Sequence, residues 1–223
     1  MKSILLIMIV FFSVSEVFSQ VNWIIIPKIS YNFNNIKYES DWKEHITFTK
    51  QYSYGLGISF GKIYAISKDT YYSLDVGLDY FKFNLSADVD TSNIINGKKI
   101  FNTSFDESYN LISIPIRGIL YFPAISSKII PGIELSLINN FPDLMNSKGS
   151  APLLNGGTKE YEIVVKNYYL SYSLGLILKI PLKHYSFVIN GSFLGSLHPL
   201  YEIEHSKLSI FGYYLSLQLF VSI

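Results

Sequence analysis

Positions 52–61 read Tyr-Ser-Tyr-Gly-Leu-Gly-Ile-Ser-Phe-Gly, so every even residue is large and apolar or aromatic and every odd one is Gly or Ser. A period of two is that of a β-strand, whose successive side chains point to opposite faces. The segment therefore predicts a strand with one greasy face and one nearly bare face.

The same code recurs down the chain. Tyr72, Leu74, Val76, Leu78 and Tyr80 oppose Ser73, Asp75, Gly77 and Asp79; Ile112, Ile114, Ile116 and Leu120 oppose Ser113, Pro115 and Arg117. Alternation over 132–137, 170–180, 185–193 and 211–223 predicts four more strands. A weaker one over 23–31 brings the count to eight, with Pro27 placed best at an edge or bulge because it cannot donate to a ladder.

The sense of the pattern decides where such a sheet can live. A water-soluble barrel encloses its apolar side chains and shows polar ones outside. Here the bare and charged set suits the narrow lumen, so the Leu, Ile, Val, Phe and Tyr set must face acyl chains. Lipid offers no partner to an unpaired N–H or C=O, so the sheet must close. The expected fold is an all-β, antiparallel, up-and-down transmembrane β-barrel of about eight strands. Long connections at 32–51, 86–108 and 141–166 alternate with short ones at 62–68, 123–128 and 181–184, with 198–207 leading to the last strand. That alternation predicts short periplasmic turns and long extracellular loops.

The first residues set Lys2 before an apolar run and end in Ser-Glu-Val-Phe-Ser-Gln, the layout of a secretory signal. The expected division is a signal peptide over 1–19 and a barrel domain over 20–223, located in the cell outer membrane. The absence of cysteine excludes disulfides, thiolate chemistry and a lipidated cysteine, and a net charge of +1 argues against a nucleic-acid partner.

By strand phase, Lys28, Asp75, Asp79, Arg117, Glu134 and Lys179 point into the lumen, three basic and three acidic. An eight-stranded barrel is filled by its side chains, so these charges are expected to pair as a plug instead of lining a channel. Tyr52, Tyr72, Tyr80, Tyr121, Tyr168, Tyr169, Tyr185 and Tyr213, towards strand ends, are expected to form aromatic girdles. Of the histidines, His45, His198 and His205 fall in external loops and His184 in a turn. No catalytic signature frames Ser206 beside His205 and Glu204. No catalytic residue, metal or cofactor is expected.

The run Asn110-Leu111-Ile112-Ser113-Ile114-Pro115-Ile116-Arg117, the segment Ile130-Pro131-Gly132-Ile133-Glu134 and the alternating last strand resemble the PorT-like outer-membrane β-barrel proteins. More loosely they resemble the small OmpX/OmpA-type barrels. Ile223 differs from the aromatic residue that typically ends that family's chains. The resemblance implies outer-membrane lipid and the barrel-insertion machinery as partners. Three functions stay open: a non-enzymatic barrel with a structural, adhesive or partner-binding role through its loops, a lipid-modifying enzyme, and a narrow transporter or secretion component.

Overall fold

The structure, a computed structural model, describes residues 22–40, 46–90, 102–126, 128–142, 148–152, 158–162, 168–183, 185–199, 201–203 and 206–223. The eight predicted strands are present as β1 (Asn22–Ser40), β2 (Ile46–Ala65), β3 (Tyr71–Asp90), β4 (Asn102–Tyr121), β5 (Ile130–Phe141), β8 (Tyr169–Pro181), β9 (Tyr185–Ser196) and β11 (Ser206–Ser222). Each pairs antiparallel with the next, and β1 pairs with β11, which closes the barrel. Three short strands, β6 (Lys148–Pro152), β7 (Thr158–Glu162) and β10 (Tyr201–Ile203), are added outside the ring of eight. The expected signal segment lies outside the described residues.

The alternation sorts the side chains as its sense requires. Leu56, Leu135 and Leu176 are 64%, 61% and 71% exposed on the outer wall, while their strand neighbours Gly55, Glu134 and Gly175 are buried inside. Apolar residues in this density on the outside of a closed barrel are tolerated only by lipid. From Tyr72 to Tyr80 the outward face of β3 climbs about 26 Å along the strand, or roughly 20 Å along the barrel axis at the usual tilt. That is close to the apolar band, about 25 Å tall, of a transmembrane barrel.

Pro27 lies within the closed ring and not at an edge. The β1–β11 ladder lapses between Ile25↔Val221 and Lys28↔Gln218, so the missing N–H faces a gap in the pairing, while Pro27 keeps its place opposite Ile58. Pro115 shows the same solution: the β3–β4 ladder lapses between Val76↔Ile116 and Asp79↔Ser113, and Pro115 pairs with Ile138 of β5. A proline needs only one donor-free side, and each strand supplies it.

The short connections are tight turns at one end of the barrel. Ile66 N and Ser67 N donate to Thr70 O at 2.9 and 3.0 Å, and Leu182 N donates to Tyr185 O at 2.8 Å. The long connections differ from expectation, because much of each is strand. β1 and β2 continue to Ser40 and from Ile46, and β3 pairs with β4 up to Asp90↔Asn102. On β3 the stretch 81–90 adds about 33 Å of strand, roughly 25 Å of height.

The physical reason can be read at Tyr80. Below it the outward set is large and the inward set is small or charged. Above it Phe81, Phe83, Leu85 and Ala87 turn inward and are buried, while Lys82, Asn84, Ser86 and Asp88 face out. The hydrophobic sense inverts where the wall leaves lipid for water, and the extension is built like a soluble barrel. Here β4 has outrun β5, and β6 takes its place beside β4 through Asp106↔Ser150, Glu107↔Gly149 and Ser108↔Lys148. β7 pairs with β6, and β10 pairs with β11 on the other side.

Candidate functional site

The lumen has three tiers. At the turn end Ile24, Ile26, Ile119, Tyr121, Ile177, Val188 and Phe220 form an apolar cluster, with Ile63, Tyr71 and Ile130 packed against it. These are inward positions of several strands, so large apolar side chains pack across the barrel at this end, its floor.

Above the floor lies the ionic tier. Arg117 is 2% exposed and spends its guanidinium on four partners. Nε donates to Asp75 Oδ1 at 2.8 Å, Nη1 to Gln218 Oε1 at 3.0 Å, and Nη2 to Ser59 Oγ at 3.0 Å; Glu134 Oε2 lies 3.7 Å from Nη1. Glu134 also accepts from Asn190 Nδ2 at 3.0 Å. Lys28 Nζ pairs with Asp79 Oδ2 at 2.6 Å. A carboxylate or guanidinium taken out of water needs such partners, because its desolvation cost is otherwise uncompensated.

The structure thus brings five of the six expected lumen charges into one tier. Lys179 is buried but stands apart. Its Nζ lies 5.0 Å from the ring centroids of Tyr71 and Tyr121 and 5.3 Å from Phe220, and among the described residues it forms no ion pair. The expectation of a six-member plug is corrected to that extent. Its level in β8 coincides with the apolar floor, where rings and not carboxylates are within reach.

The close approach of Lys28 to Asp79 depends on Gly57. A Cβ there would sit 2.1 Å from Asp79 Oδ1 and 2.7 Å from Lys28 Cε. Gly57→Val is expected to cost about 1–3 kcal/mol through forced repacking of the pair, measured as a lower urea midpoint of the refolded barrel in micelles. Gly118→Ala is the control: its methyl would meet nothing nearer than Leu74 Cδ2 at 3.5 Å, so a change within about 0.5 kcal/mol is expected.

The third tier is a cavity of about 60 Å³ towards the far end. Its polar wall is largely self-satisfied. Asn32 and Asn34 both donate to Ser53 Oγ, at 2.8 and 3.2 Å; Ser113 donates to Asn140 Oδ1 at 2.7 Å, and Asn140 Nδ2 donates to Ser171 Oγ at 2.7 Å. Ser136 and Ser173 share a hydrogen bond. The space suits a few ordered waters.

Two of the expected girdle residues are interior. Tyr121 is 0% exposed, stacked on Tyr71 at 4.5 Å in the floor, and Tyr169, 4% exposed, lines the upper cavity. Strand parity is the reason: Tyr121 shares its face with Arg117, and Tyr169 shares its face with Lys179. Tyr80, Tyr185 and Tyr213 are exposed on the outer wall, and Tyr52 and Tyr72 are half-buried there. Tyr168 takes the outward place beside Tyr169, and its hydroxyl donates to Asn139 Oδ1 at 3.0 Å. The sequence reading missed Trp23, stacked on Phe60 at 4.7 Å near the turn end with Lys62 Nζ 4.1 Å above its ring. A tryptophan at the very start of a strand is an interfacial signal, and the lysine above it is its cross-strand partner.

His198 is exposed after β9, whereas His45, His184, Glu204 and His205 lie outside the described residues. Among the described residues no group of three His, Asp or Glu is placed to hold a metal ion.

No protein-family model matches the chain, and no curated protein matches it. Solved structures do. The outer membrane protease OmpT from Escherichia coli aligns over 92% of this chain and 97% of its own, at 8% identity and a TM-score of 0.50. The outer membrane protein OprG from Pseudomonas aeruginosa aligns over 92% and 97%, at 11% identity and 0.47. Neisserial surface protein A aligns over 90% and 97%, at 15% identity and 0.45. The likeness to OmpT is one of fold. Closed antiparallel barrels with an outward apolar belt are structures of outer membranes, and this chain is an outer-membrane β-barrel protein of the small-barrel kind.

Proposed function

We propose that this is a non-enzymatic outer-membrane barrel whose work is done by the polar sheet above the outer leaflet, as a structural, adhesive or partner-binding surface. The observation that carries this reading is the extension itself. Between β5 and β8 the chain builds β6 and β7 onto the upper part of β4, which adds nothing to the membrane wall. The layered lumen supports it from the other side, since an apolar floor under an ionic tier opposes the passage of a polar solute. The same proposal includes export by the segment 1–19 and membership of the PorT-like family, the latter resting on residues 110–117 and 130–134.

The test compares cells displaying the whole chain with cells displaying a variant in which 148–162 is replaced by a two-residue turn. The variant is expected to insert and fold normally yet to lose most of the adhesion to protein- and glycan-coated surfaces that the whole chain confers. Equal adhesion by both would remove the extension from the account. Hydrolysis or transfer of lipid acyl chains by the purified folded barrel would favour the enzyme instead.

A further inference from the structure

On the lipid-facing wall the outward positions of β9 are Tyr185, Phe187, Ile189, Gly191 and Phe193. Gly191 alone among them has no side chain, and a Cβ built there would meet nothing within 4 Å. In register it lies between Leu215 of β11 and Leu176 of β8, both exposed, so the wall has a notch at this point. The notch opens into a groove of about 600 Å³ whose lining is almost wholly apolar and which reaches Phe33 of β1 on one side and Ile133 of β5 on the other. One position further up each strand, Phe33, Tyr213 and Phe193 lie abreast. The Phe193 and Tyr213 rings meet edge to face at 6.2 Å. Tyr213 is the last outward tyrosine of β11, and Tyr172 of β8, paired with Gly195, lies one outward position further along the same wall, so these two rings mark the approach to the headgroup level. The groove therefore starts near the outer headgroup level and descends towards the middle of the bilayer.

We propose that this groove is a seat for one acyl chain of a membrane lipid, held with its headgroup end beside Tyr213 and its methylenes passing over Gly191. The seat rests on the membrane-spanning reading of the barrel and not on any role for the extension. It is continuous with the lipid belt, so an acyl chain reaches it without leaving the bilayer. The flanking Leu176, Leu215 and Phe193 give a guest chain contact on three sides where the flat wall elsewhere gives contact on one.

The test uses the absence of any atom near the Gly191 Cβ position: Gly191→Leu fills the notch without displacing the barrel. The refolded protein is incubated in micelles with dipalmitoyl phosphatidylethanolamine, and retained lipid is counted by native mass spectrometry. The wild type is expected to retain about one lipid per barrel, and Gly191→Leu to retain it less well by roughly tenfold, the effect of about two methylenes losing their contacts. Leu78→Phe, on the outward face of β3 away from the groove, is expected to retain lipid like the wild type. Equal retention by Gly191→Leu and wild type would overturn the proposal, as would loss of a dimer in place of a lipid, which would make the notch an interface between two copies. Heat-dependent migration of each variant, measured alongside, separates a failed seat from a failed barrel.

Discussion

Replacing Arg117 with Met is expected to destabilise the barrel by about 3–5 kcal/mol, the usual cost of removing one partner from a buried ionic cluster. The five charges of the ionic tier, Lys28 and Arg117 against Asp75, Asp79 and Glu134, sum to −1 (2 − 3). Without Arg117 they sum to −2, and Asp75 and Glu134 are left facing each other's charge. Ser59 and Gln218 also lose the donor that satisfies them. Equilibrium urea unfolding in micelles measures the loss. Asp75→Asn and Glu134→Gln introduced together with Arg117→Met should recover much of it, because the damage lies in the uncompensated carboxylates and not in the missing attraction. A triple variant as unstable as the single one would mean that Arg117 acts by filling space.

The second large effect is expected on the other face of the same wall. Leu176 and Leu135 are the middle members of the outward sets of β8 and β5. Arginine at either position should cost about 2–4 kcal/mol in a bilayer, falling to about 0–1 kcal/mol for Tyr213→Arg at the belt's edge. Asp88→Arg, on the outward face of β3 above the belt, should change stability by less than about 0.5 kcal/mol. In a water-soluble barrel all of these exposed sites would accept arginine alike, so a depth-dependent series distinguishes the two environments. Refolding yield into vesicles should follow the same order.

How much of this was legible in the sequence differs by region. In the belt every second residue is constrained by lipid, so alternation alone located all eight strands and put Lys28, Asp75, Asp79, Arg117, Glu134 and Lys179 on inward positions. The extension resembles loop in composition because its outward residues are polar and its added strands are short. Yet Phe81-Lys82-Phe83-Asn84-Leu85-Ser86-Ala87-Asp88 alternates as strictly as the belt with the sense reversed. A reading that admits a change of sense at Tyr80 would find it. Strand parity also separates Tyr121 and Tyr169 from the true girdle, since being a tyrosine near a strand end does not fix which face it takes. The pairing of β6 with β4 was not legible, because five-residue strands carry no period long enough to name a partner. Which lumen charges meet was likewise hidden: parity gives the face, but only the register between strands sets Arg117 beside Asp75 and leaves Lys179 among the rings.

The central claim is that the wall between Tyr72 and Tyr80 is in lipid and that the strand emerges into the external medium above it. The chain has no cysteine, so single substitutions report cleanly. Leu78→Cys, Asp88→Cys and Lys68→Cys can be exposed to a membrane-impermeant maleimide in intact cells and again after lysis. The account predicts that Asp88→Cys labels in intact cells, that Lys68→Cys labels only once the envelope is opened, and that Leu78→Cys stays unlabelled in both while the barrel is folded in its membrane. Labelling of Leu78→Cys as fast as Asp88→Cys in folded protein would place the apolar wall in water and contradict the account.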